Sequence, residues 1–268
     1  MSRALHRRAR EWAGLARPAW VVEVAQVRGS APREPGARML VAADEIAGSI
    51  GGGRLEWMAI EAARARLAGA SLPEREDIAL GPRLGQCCGG AVQLAYEPLA
   101  QALSHWLEPP PLWHLQLHGA GHVGAAIARA LVPLDVDLDW IDERPDSFAP
   151  GPWPAHWRLL ATDDAVAEVA AAPAGARYLV LTHSHELDLR LARAILERGD
   201  FEFFGLIGSA SKRARFVSRL QQQGLAPAAI ARITCPIGIE GIPGKAPELI
   251  AVAVAAQLLA LGGKSDEA

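Results

Sequence analysis

The chain is 268 residues long, half of them hydrophobic and 21% charged, with a formal net charge of −3 and three cysteines. That composition is globular rather than disordered, and the length suits two domains. The charge gives no overall basic field to attract nucleic acid, and three cysteines are too few for a secreted disulfide scaffold.

A basic start (Arg3, Arg7, Arg8, Arg10) runs into Glu11 and Trp12, an amphipathic pattern that predicts a surface helix over 2–16. No apolar run there marks a secretory leader, so a cytoplasmic, reducing location is expected. A strand over 20–27 follows, then a loop over 29–36 and a hairpin of strands over 38–42 and 45–48. Leu55, Met58, Ala59, Ala62 and Ala63 recur at helical spacing, which predicts a helix over 54–68. Short strands over 77–80 and 91–96 flank a cysteine-bearing loop, and a further helix leads to Pro109, Pro110 and Pro111. Three prolines in series stiffen the backbone and end a helix. They set a boundary between domains over 1–107 and 112–268.

After the prolines the pattern becomes strands over 113–117, 136–141, 158–160, 178–181 and 203–207. Helices over 122–132, 163–171, 187–198 and 209–222 fall among them. Apolar strands alternating with helices predict a parallel sheet covered on both faces. The expected fold is therefore α/β: a smaller N-terminal α/β domain, then a Rossmann-like domain with a mostly parallel sheet. A last helix over 247–261 is apolar all round and should be largely buried, against the first domain or a second copy; a homodimer is expected. It is too short for a bilayer and contains Gln257, so no membrane partner is expected.

Five loops carry candidate chemistry. Gln86, Cys87 and Cys88 sit between Gly85 and the pair Gly89-Gly90. Adjacent thiols lack the two-residue spacing of a cysteine metal cage, but in a glycine-rich bend they can present soft sulfur to a ligand. Gly51, Gly52, Gly53 and Arg54 open a helix and read either as an anion cradle or as a flexible connection. Gly119-Ala120-Gly121-His122-Val123-Gly124 follows a strand and opens a helix, and Asp142 ends the next strand. This is the spacing of a dinucleotide loop with its ribose acid; the same glycines also suit a plain sharp turn. His183 and His185 follow the fourth strand, where ligands gather in such sheets. Lys245 stands in a rigid loop before the last helix. Ser209 to Arg213 reads as a capped helix with solvated charges, and Cys235 as a small buried residue.

Taken together, these motifs resemble the XdhC family, the accessory proteins of xanthine dehydrogenase maturation, related to the CoxI group. The resemblance rests on residues 48–56, 84–90, 119–124, 182–185, 205–209 and 236–248, in the family's order. Many CoxI-type relatives carry a cysteine where Arg54 stands, so the branch implied is XdhC proper. The resemblance implies a molybdenum cofactor carrier rather than a turnover catalyst. Such a carrier protects the cofactor during sulfuration and helps insert it into xanthine dehydrogenase. It implies as partners apo-xanthine dehydrogenase, a cysteine desulfurase and the proteins of molybdenum cofactor biosynthesis. Cys87 or Cys88 would meet the molybdenum or its sulfur, and a glycine loop the molybdopterin phosphate. A nucleotide at the Rossmann loop remains open. The alternative function is an oxidoreductase using NAD(P) or a flavin nucleotide, with His183 or His185 as the acid–base residue.

Overall fold

The structure is a computed structural model that describes residues 2–81 and 89–262. The chain forms two compact units, Met1–Pro110 and Pro111–Ala268.

The first unit is built on an antiparallel sheet. Its strands are β1 (Ala19–Arg28), β2 (Arg38–Ala42), β3 (Ile46–Gly48), β4 (Arg75–Ala79) and β5 (Ala91–Pro98), in the order β3-β2-β1-β5-β4. Alternation along the strands sends side chains to two faces. Val22, Val24, Met39, Val41, Leu94 and Tyr96 meet Leu55, Ala59 and Ala63 of α2 (Gly53–Leu67). Ala19, Val21, Leu40 and Ala42 meet Leu5, Ala9 and Trp12 of α1 (Arg3–Gly14), with Leu99 and Ala102 of α3 (Leu99–His105). Arg17 lies over the Trp12 ring at 4.5 Å and pairs with Asp44 and Glu45. That ties the end of α1 to the hairpin turn.

The second unit is a parallel sheet in the order β11-β10-β9-β6-β7-β8. Its strands are β6 (His114–His118), β7 (Asp137–Asp142), β8 (Arg158–Ala161), β9 (Arg177–Val180), β10 (Phe203–Leu206) and the short β11 (Ile233–Thr234). Counted within the unit this is the 3-2-1-4-5-6 order of a doubly wound Rossmann sheet. Its topological switch point lies between β6 and β9. On one face Leu115, Leu117, Leu138, Trp140 and Leu179 pack against α4 (His122–Leu131) and α9 (Pro247–Leu261). On the other, Ile141, Tyr178, Val180, Phe204 and Leu206 pack against α5 (Ala165–Ala171), α6 (His185–Arg198) and α7 (Ala210–Gln222). A single turn, α8 (Pro227–Ile230), leads into β11. Among the described residues no helix is long and apolar enough to cross a membrane.

The β7–β8 connection, where the sequence predicts no helix, carries only a 3-10 turn at Pro145–Ser147. Pro150, Pro152 and Pro154 deny it helical amides. Aromatic rings cover the sheet there instead: Phe148 and Trp153 meet Trp140 edge-on at 5.3 and 5.2 Å. The last helix, expected to be largely buried, is only half buried. It packs on α4 through Ala251, Val254 and Leu258, while Leu249, Val252 and Leu259 stay exposed. A helix apolar on every side offers no preferred face, and α4 covers one side of it.

Trp140 is fully buried, and its indole N–H donates to the Gly119 carbonyl at 3.0 Å. Replacing Trp140 with Ala removes the aromatic cover and leaves that carbonyl without its donor. It should lower unfolding free energy by about 3–5 kcal/mol, read from urea denaturation.

Candidate functional site

At the end of β6 the chain turns sharply at Gly119, whose φ of +122° is open to glycine and strained for other residues. A side chain there would collide with the Leu181 carbonyl at the end of β9. A side chain at Gly124 would collide with the Gly119 carbonyl. These two glycines let β6, β9 and α4 approach at the switch point. Gly121 is different: an added Cβ would meet nothing within 4 Å. The space above its backbone is open to a ligand, and α4 directs its N-terminal amides there. A cleft of about 410 Å³ lies here, lined by Gly121, His122, Arg129, Arg144, Ser147 and Glu248, among others.

Asp142 stands at the end of β7, as the spacing predicts, but its carboxylate is already engaged. One oxygen accepts from the Ala120 amide at 2.7 Å and from Arg144 Nη2 at 3.1 Å; the other accepts from the Arg144 amide and Nε, both at 2.9 Å. Burial alone would raise this carboxyl's pKa; the Arg144 guanidinium and the two amides outweigh it and hold the pKa below the usual carboxylate value. The acid therefore clasps the glycine loop to the next strand.

The glycine loop of the first unit is closed in the same manner. Gly51, Gly52 and Gly53 all have positive φ. Glu56, in the first turn of α2, accepts from the Ile50 and Gly52 amides at 3.0 and 3.1 Å and from the Ser49 hydroxyl at 2.5 Å. The anion in this cradle is the chain's own carboxylate, which suits a helix N-terminus. Arg54 is exposed.

The histidine pair does not form one site. His183 lines a small cavity with His118, Asp142 and Thr182, whereas His185 lines a groove along α7. Lys245 is exposed in the loop before α9. Among the described residues no three His, Cys, Asp or Glu side chains converge as metal ligands. Gln86, Cys87 and Cys88 lie outside the described residues. The stems on either side are placed: the Leu80 amide donates to the Gly90 carbonyl at 2.8 Å, extending the β4–β5 ladder. Gly90 packs so closely on the backbone of Arg28 and Ser30 that a Cβ would strike both carbonyls.

Several buried polar groups escaped the sequence reading, His118 and Lys212 among them. His118 is fully buried at the end of β6, and its Nδ1 finds no hydrogen-bond partner among the described residues. Its signal was the alternation His114, Gln116, His118 within the strand, which puts three polar side chains on one face. Desolvation pushes its pKa down to about 3. Lys212, expected to be solvated, is 7% exposed and pairs with the fully buried Asp188 at 2.6 Å. Asp188 also accepts from the Thr182 amide at 3.1 Å and hydroxyl at 2.7 Å. The pair joins the loop after β9 to the start of α7, where Ser209 caps the helix as expected. Cys235 is buried, and burial raises its thiol pKa.

The comparisons with known proteins follow this geometry. The XdhC Rossmann domain matches residues 115–258, and the XdhC and CoxI family matches residues 12–75. The chain belongs to the XdhC family. A curated relative, an uncharacterized protein named YqeB of Escherichia coli strain K12, is 31% identical over 251 residues. That match takes in 90% of this chain and 43% of the relative, so the chain spans less than half of that XdhC relative's length. A crystal structure described as a xanthine dehydrogenase from Bacillus halodurans superposes with a TM-score of 0.77 at 19% identity, covering 100% of this chain and 98% of the other. It is a likeness of fold.

Two outcomes follow. With its folded pKa near 3 against an ordinary 6.5, His118 binds a proton far more readily once unfolded. Its contribution to stability is complete above pH 6.5 and is lost as pH falls toward 3. Between those limits it should steepen the fall of unfolding free energy by up to about 1.4 kcal/mol per pH unit. Urea midpoints from pH 7 to 4 should fall less for His118→Leu than for the wild type; parallel profiles would contradict its burial. Lys212→Met leaves Asp188 buried without its cation and should destabilise by about 3–5 kcal/mol in chemical denaturation.

Proposed function

We propose that this chain is an accessory protein of xanthine dehydrogenase maturation that carries the molybdenum cofactor. It protects the cofactor while a cysteine desulfurase exchanges an oxo ligand for sulfur, then helps pass it to the apo-enzyme. The cofactor is cargo, received from the proteins that make it, and the chain does not turn over substrate.

One observation carries the reading: a chain of the XdhC family sets its two adjacent cysteines between the paired stems of β4 and β5. Leu80 and Gly90, which flank the cysteine-bearing segment in sequence, are bonded across those stems. The segment's thiols are a soft donor set, suited to molybdenum and its sulfur ligand. Cys235 offers no such donor, since it is buried with a raised pKa. The two glycine loops support a phosphate less equally. Glu56 already fills the first, while Gly121 leaves the second open.

The test is metal and pterin analysis of protein co-expressed with an intact cofactor pathway. Wild type should retain molybdenum and pterin together. The double variant Cys87→Ala/Cys88→Ala should lose about tenfold or more of both, with an unchanged thermal transition. Equal retention in the variant would refute the assignment.

A further inference from the structure

The arrangement of Asp142 and Arg144 bears on what the cleft of the second unit accepts. An unphosphorylated ribose is recognised when a free carboxylate at this strand end accepts from its hydroxyls. Here that carboxylate is buried, with its side chain 2% exposed, and both oxygens are saturated by the Ala120 amide and by Arg144. To bind a ribose diol it would have to give up part of this clasp in a site with little water to compensate. Arg144 is the opposite case. Its side chain is 46% exposed and lines the cleft, and Nη1 takes no part in the clasp. A guanidinium held flat by one carboxylate keeps a fork edge for a phosphate. Arg129 lines the same cleft, against the single acid Glu248 among its described lining residues. Open space over Gly121 leaves room for a pyrophosphate at the start of α4. The fully buried His118, its Nδ1 unpartnered among the described residues, lines a separate small cavity with Asp142.

We propose that this cleft binds a dinucleotide whose adenosine ribose carries a 2′-phosphate, and that Arg144 reads that phosphate. The Asp142 clasp disfavours the unphosphorylated dinucleotide and presents Arg144 to the phosphorylated one. The two effects act in the same direction. The named cleft residues all belong to the second unit, so this site goes beyond the carrier function and stands or falls separately from it.

Calorimetric titration of the full chain with NADP+ and with NAD+ tests the proposal. NADP+ should bind about tenfold or more tightly than NAD+, the gain expected of one charge-assisted contact. Adenosine 2′,5′-bisphosphate should compete with it, and adenosine 5′-monophosphate should not. Arg144→Met should abolish the preference, weakening NADP+ and improving NAD+ as Asp142 is released to meet the ribose. Arg144→Lys should keep part of it. Equal affinity of the wild type for both dinucleotides, tighter binding of NAD+, or no binding of either would overturn the proposal. If Arg144→Met fails to fold, the wild-type comparison alone decides. Loss or retention of molybdenum in the cysteine variants does not alter this result.

Discussion

The second unit turns on one buried carboxylate. Asp142 receives the amide of Ala120 from the glycine loop and the guanidinium of Arg144 from the chain beyond β7. This fixes the loop's path at the point where β6, β9 and α4 come closest. Gly119 and Gly124 permit the approach because a side chain at either would strike backbone. Trp140 secures the same turn from below through its bond to the Gly119 carbonyl. The cleft is thus shaped before any ligand arrives, and pre-organisation of this kind lowers the entropic cost of binding.

Both units solve the same problem in related ways. A glycine loop at a helix start leaves bare amides that need an acceptor. In the first unit Glu56 supplies it from within the helix and fills the cradle. In the second Asp142 takes only the Ala120 amide, and the face over Gly121 stays open. The difference separates a structural glycine loop from one with room for a ligand. It is also why the proposed carrier function places weight on the β4–β5 stems rather than on the triple glycine.

Much of the architecture was legible in the residues. The proline series, the alternation of apolar strands with helices and the capping Ser209 each report local backbone preferences that the fold did not override. Partnership was not legible. The spacing Gly119…Asp142 marks a nucleotide loop, but only the fold reveals that Arg144 occupies the acid. Lys212 reads as a surface cation until α6 brings Asp188 to it across 24 residues of sequence. Arg177, 2% exposed, is held by Glu202, the Leu258 carbonyl and the Trp113 ring, contacts spread over most of the second unit. The antiparallel order of the first sheet likewise follows from long-range pairing of β1 with β5. The triple glycine announces flexibility, yet Glu56 four positions beyond Gly52 closes it.

The most direct measurement is a crystal structure of the full chain with adenosine 2′,5′-bisphosphate. The account predicts the 2′-phosphate beside the Arg144 guanidinium, with the Asp142 carboxylate still on the Ala120 amide. A ribose bound to a released Asp142, with Arg144 swung away from the phosphate, would contradict it.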